Sequence, residues 1–256
     1  TPSLKRFGLI QCTGVSDEWL SKLAPCTGLQ EFDLIFTDRE RRDSSYFGVS
    51  SEALARYALT SSLKSLVLSG VEVSGQARVL KRIAEIASLR ALTLRDGGKI
   101  DASSLVDSAQ PLHTLDLCGT WLSIGQLSAL LEGISDSCES LGLGGSQPKD
   151  APSAAKAAFL EVESFLASPR PLVLLVLSFD VALPEGLVKS VAKQEHLRAL
   201  YLANLAEVGP AVLHDVLALK QLEELELFGC KSLDASALAD AETPALAVLT
   251  LESATG

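Results

Sequence analysis

The 256-residue chain contains no methionine, three histidines, five cysteines and only 5% aromatic residues. Each scarcity excludes something. The histidines, His113, His196 and His214, lie far apart in sequence, leaving little material for acid–base or metal chemistry. The cysteines, Cys12, Cys26, Cys118, Cys138 and Cys230, are odd in number and contain no Cys-x-x-Cys pair. A disulfide framework is therefore not expected, and a reducing intracellular compartment, cytoplasmic or organellar, is. With no methionine at Thr1 or elsewhere, the chain as read shows no translation start, and its targeting is unreadable. The longest apolar run, 172–177, falls far short of the ~20 residues of a membrane helix, so no span is expected. Lys and Arg number 22 against 32 Asp and Glu, a net charge of −10. That balance repels nucleic-acid phosphates. It favours a basic partner, or simply gives a solvated acidic surface. Because apolar residues still make up 47%, the core is expected to be built from Leu, Val, Ile and Ala.

What the chain does have is a repeat. A Leu-x-x-Leu-x-Leu signal begins at Leu4, Leu29, Leu63, Leu89, Leu112, Cys138, Leu172, Leu197, Leu222 and Leu246, with steps of 23 to 26 residues except for two of 34. A period of this size means one supersecondary unit stacked on copies of itself, since one copy cannot bury its own apolar face. Alternation along a strand turns the last two apolar positions inward and the residue between them outward.

Between the signals the apolar period lengthens to about 3.6. Residues 74–87 place Val79, Leu80, Ile83 and Ala87 on one face, and 123–134 do the same with Leu127, Leu130, Leu131 and Ile134. Caps are expected at Ser16, Ser51, Asp101, Ser123, Ser153 and Asp234. Pro184 and Pro210 suit a first helical turn. Strand–helix alternation also occurs in barrels and doubly wound sheets, but those units take about 30 or more residues, longer than most steps here. The expected fold is an α/β leucine-repeat solenoid, a horseshoe of about ten parallel strands on the concave face and helices on the convex face. A single domain is expected over 1–256. The two long steps place insertions near 37–50, rich in charge before Tyr46 and Phe47, and near 144–153, which holds two glycines and two prolines.

Residues 222–238 read Leu-Glu-Glu-Leu-Glu-Leu-Phe-Gly-Cys-Lys-Ser-Leu-Asp-Ala-Ser-Ala-Leu, and 4–23 carry Cys12 in the same register, three residues after the last strand leucine. This resembles the cysteine-containing subtype of leucine-rich repeats, as found in F-box and related substrate-receptor proteins. The resemblance implies that the side chain at the cysteine position bonds turn backbone of neighbouring repeats. Val71, Gly97, Leu205 and Ala254 occupy that position elsewhere and have no side-chain group to do so. It also implies substrate recognition within a ubiquitin ligase as an alternative function, although the residues contain no F-box helix set.

No catalytic, cofactor-binding or metal-binding residues are expected, and no cofactor. His113 and Asp116, three apart on a strand, point to opposite faces. The Gly142, Gly144 and Gly145 run lacks nucleotide-loop spacing. Cys118 has no cationic sequence neighbour to activate it. The expected function is a non-enzymatic protein–protein interaction scaffold. An enzyme whose repeats merely appose substrate ranks third, behind the ligase-receptor reading.

Alternation gives an outward column of Gly8, Asp33, Val67, Thr93, Asp116, Gly142, Val176, Tyr201, Glu226 and Thr250, flanked by residues including Arg95, Leu174, Glu224 and Phe228. Aromatic and arginine side chains dominate interface energetics. The expected partner-binding residues are therefore Tyr201, Phe228 and Arg95, with Val176, Asp116 and Glu226; an end or an insertion loop is the alternative surface. Strand signals close to Leu4 and Leu251 leave both sheet edges uncovered, so either flanking sequence or another chain is expected to cover them. A hetero-assembly with another protein, a basic one being favoured by the charge, is expected.

Overall fold

Strands form at all ten leucine signals. The structure, a computed structural model, describes residues 3–12, 14–36, 49–71, 77–100, 102–106, 111–134, 136–145, 152–206, 208–229 and 245–252. The chain divides into two compact units, Thr1–Ser135 and Asp136–Gly256.

The first unit contains β1 (Arg6–Ile10), β2 (Glu31–Ile35), β3 (Ser65–Ser69), β4 (Ala91–Arg95), β5 (Gly98–Lys99), β6 (Thr114–Asp116) and β7 (Thr120–Trp121). Strands β1, β2, β3, β4 and β6 lie side by side, every neighbouring pair parallel, while β5 and β7 make a separate parallel pair. The second unit contains β8 (Ser140–Gly145), β9 (Leu174–Phe179), β10 (Ala199–Ala203), β11 (Glu224–Phe228) and β12 (Val248–Glu252), again parallel and in sequence order. Neither set closes into a barrel.

Register explains why the leucine period suffices to specify this arrangement. Phe32 sits opposite Leu66, Leu66 opposite Leu92 and Leu92 opposite Leu115; in the second unit Leu141, Leu175, Leu200 and Leu225 align likewise. All of these are buried. A fully buried leucine contributes about 1.5–3 kcal/mol relative to exposure, and a one-residue slip would turn the whole set outward.

Each strand entrance repeats one hydrogen-bond device. The Lys5 carbonyl accepts from the N–H groups of Gln30 and Glu31 at 2.7 and 3.0 Å, and Gln30 accepts likewise from Lys64 and Ser65. Glu139, Val173, Arg198 and Glu223 continue the pattern in the second unit. At the strand exits the second residue after the last leucine turns left-handed at Gln11, Gly70, Asp96, Gly119, Asn204 and Gly229, with φ between 54° and 72°. Gly70 has no room for a side chain: an added Cβ would lie 2.5 Å from the Phe36 carbonyl oxygen.

The helices occupy the intervening segments, with local corrections. Ser16 and Ser123 cap as expected, Ser123 in a reciprocal box with Gln126. At the helix beginning with Ser51, the capping hydroxyl belongs to Ser50, which accepts from Ala53 N–H at 3.1 Å. Ser153 lies inside Pro152–Leu166 instead of capping it. Pro184 takes the N-cap position of Glu185–Val191, and Pro210 starts Pro210–Leu217. The helix expected over 74–87 is described as Ala77–Ala84. The turn that follows brings Ile86 into the core and leaves Ala87 exposed. Asp101, Asp234, Cys230, residues 37–48 and residues 146–151 lie outside the described residues. Gly144 and Gly145 belong to β8, and Ser50, at the end of the first expected insertion, bonds the Asp17 carboxylate through its N–H and hydroxyl at 2.6 and 2.7 Å.

Candidate interaction surface

The parallel register carries the outward residues into rows. In the first unit the middle row runs Gly8, Asp33, Val67, Thr93, Asp116. In the second it runs Gly142, Val176, Tyr201, Glu226, Thr250. Of the six expected binding residues, the second unit brings together Val176, Tyr201 and Glu226 on three adjacent strands, with Phe228 two positions beyond Glu226 on β11. All four are half-buried. Arg95 and Asp116 meet each other in the first unit, with Nε 2.6 Å from Oδ2.

Asp116 differs from a simple outward carboxylate. It is only 8% exposed, because the Arg95 guanidinium covers one oxygen and the Cys118 N–H donates to the other at 3.0 Å. Burial opposes the charge on Arg95, but the adjacent Asp116 carboxylate outweighs it and raises the guanidinium pKa further. The Cys118 thiol is pushed up by burial and then by the neighbouring Asp116 carboxylate, so it is held protonated and a poor nucleophile. Thus Arg95 has a cationic head supported from beneath, while Asp116 is engaged in supporting it.

The Tyr201 phenol is pushed up to about 12 by burial, then by its hydrogen bond with Glu224 and by the Glu226 charge. It therefore stays protonated. Asp33 is raised by burial, with Arg6 opposing and Glu31 assisting the shift.

The turn bonding implied for the cysteine position appears between repeats at Thr120 and within its own repeat at Cys12. Cys12 Sγ contacts the Ile10 carbonyl of its own repeat at 3.4 Å. Thr120, at the equivalent position, makes the inter-repeat link: its hydroxyl donates to Leu94 O at 2.5 Å and accepts from Gly97 N–H at 3.3 Å. Sequence reasoning also passed over Gln194, which is fully buried and joins backbone groups of Leu166, Ser168, Arg170 and Ser190. Among the described residues no group of three or more His, Cys, Asp or Glu is placed to hold a metal, and no helix is long and apolar enough to cross a membrane. A cleft of about 510 Å³ on the helical side of the second unit has mixed charge, with Lys189, Lys193, Asp215 and Lys220 on its walls.

No protein-family model matches the sequence, and no curated protein matches it. Among solved structures, the leucine-rich repeat-containing protein LegL7 from Legionella pneumophila is similar with a TM-score of 0.54, at 19% identity, over 98% of this chain and 84% of that one. The fold is the leucine-rich repeat. Internalin C2 from Listeria monocytogenes str. 4b F2365 aligns with a TM-score of 0.46 at 14% identity, over 93% of both chains. An internalin, inlF, from the same strain aligns with a TM-score of 0.43 at 13% identity, over 97% of this chain and 87% of that one. Within the leucine-rich-repeat fold, the outward strand residues are those left free of core packing, which is why the rows above form the candidate surface.

Proposed function

We propose that this chain is a non-enzymatic protein–protein interaction scaffold, a single leucine-rich-repeat domain over 1–256 that serves as a subunit or adaptor of a larger intracellular assembly. The observation that carries the reading is the row Val176, Tyr201, Glu226 with Phe228 beside it: apolar, aromatic and charged groups in register on one sheet face, half-buried and not needed to fill the core. Aromatic anchors of this kind dominate binding energy where interfaces are dissected. Arg95, held up by Asp116, is a further contact, and the net charge of −10 favours a basic partner. The protonated thiol of Cys118 supports the non-enzymatic reading.

The test is affinity capture from cells with the unaltered chain and with Tyr201→Ala/Phe228→Ala, keeping Leu160→Ala on an exposed helical position as control. The partner should be lost with the double variant and retained with the control. Capture that survives the double variant contradicts the surface assignment. The cysteine-bearing sequence at 222–238 favours a second reading, substrate recognition within a ubiquitin-ligase receptor. Ligase core subunits in the captured material would select it.

A further inference from the structure

The outward charges differ between the units. In the first, opposite charges sit together: Arg6 Nε lies 2.6 Å from Glu31 Oε2, as Arg95 does from Asp116. In the second, alternation places Glu224, Glu226 and Glu252 outward, and no Lys or Arg holds an outward strand position. Arg198, just before β10, is paired with Glu223 at the strand entrance. Among the described residues, no ion pair reaches those three glutamates.

The adjoining strands are apolar. Leu174 and Val176 on β9 face outward, with Tyr201 on β10 between them and the acidic strand. The surface therefore passes from apolar at β9 to acidic at β11 within two strand spacings, roughly 10 Å. A segment in the polyproline II conformation advances about 3.1 Å per residue with three residues per turn, so its residues i and i+3 point the same way and span about the same distance.

We infer that the second unit docks a segment of a protein partner in the polyproline II conformation that crosses the strands, laying an apolar side chain over Leu174 and Val176 and, three residues away on the same face, a Lys or Arg over Glu224 and Glu226. The inference rests on the outward-face reading above and specifies its partner. Covering these carboxylates with an apolar segment would desolvate them without compensation, whereas a cation supplies the missing partner. The face thereby selects against acidic and purely apolar segments as well as for basic ones. Tyr201 stands between the two halves, opposite Val176 on one side and Glu226 on the other.

The experiment is selection from a display library of random 12-residue peptides on the full chain, followed by fluorescence anisotropy with the best labelled peptide. Enriched peptides should share an apolar residue three positions from Lys or Arg. Glu224→Gln and Glu226→Gln should each weaken binding about threefold, the size of a partly exposed ion pair, and added salt should weaken it further. Cation-free peptides whose binding is lost with Tyr201→Ala would overturn this inference while leaving the outward-face reading standing. Peptides indifferent to Tyr201→Ala and to both glutamine variants would overturn both. Failure to enrich any binder also overturns the inference.

Discussion

Gln194 shows how a single polar side chain stitches one repeat to the next. Its carbonyl oxygen accepts from Arg170 N–H at 2.9 Å, and its amide donates to Leu166 O at 2.8 Å and Ser190 O at 3.1 Å. With the side chain fully buried, Gln194→Leu would leave several backbone groups without partners. An unsatisfied buried group costs about 1–3 kcal/mol. Urea unfolding followed by far-ultraviolet circular dichroism should show a loss of about 3 kcal/mol; an unchanged midpoint would refute the role. The position, three residues before the first leucine of a strand signal, was not legible in the sequence because its chemistry varies. Thr60 stands there before Leu63 and bonds Leu29 O at 2.9 Å, whereas Ile86 and Leu219 fill it with apolar packing. Asp116 illustrates a similar limit. Alternation gave its direction, but its burial depends on Arg95 reaching across from the neighbouring strand.

At the scale of elements, the strands were legible because two signals coincide: alternation within a strand and a nearly constant distance between strands. Both are consequences of stacking leucine on leucine in parallel register. The pair β5 and β7 carried neither signal, since two residues are too few to show alternation. Helix edges were less legible for a different reason. A serine one residue either side of a boundary has the same capping chemistry, so Ser50 and Ser51 are distinguished only by geometry. The register itself is testable in the first unit, where Val67 lies directly opposite Thr93 on the outward face. Neighbouring strands are about 4.8 Å apart, within the Cα separation a disulfide accepts. Val67→Cys with Thr93→Cys should oxidise to an intramolecular disulfide, read as intact-mass loss of two hydrogens and protection from alkylation. Val67→Cys with Leu92→Cys should not, because Leu92 faces the core. The reverse result would mean the strands are slipped by one residue.

For the whole molecule, the sequence limited function mainly by what it lacked: no concentrated basic charge, few histidines and no nucleotide-loop glycine spacing. The fold then left two sets of outward strand residues, one in each unit, and the candidate site was legible as far as alternation could place it. Tyr201, Val176, Glu226 and Phe228 were identified together because all lie at outward positions of consecutive repeats. Their relation to charge was less legible, since Glu224 and Glu226 stand out only once Arg198 is seen paired with Glu223 outside the outward rows. The account's central claim is that a partner covers the outward strands of the second unit. Hydrogen–deuterium exchange on the chain with and without its captured partner measures that coverage directly. The account predicts added protection across β9, β10 and β11, with the helices Glu185–Val191 and Pro210–Leu217 unchanged; protection confined to those helices, with the three strands unaffected, would contradict it.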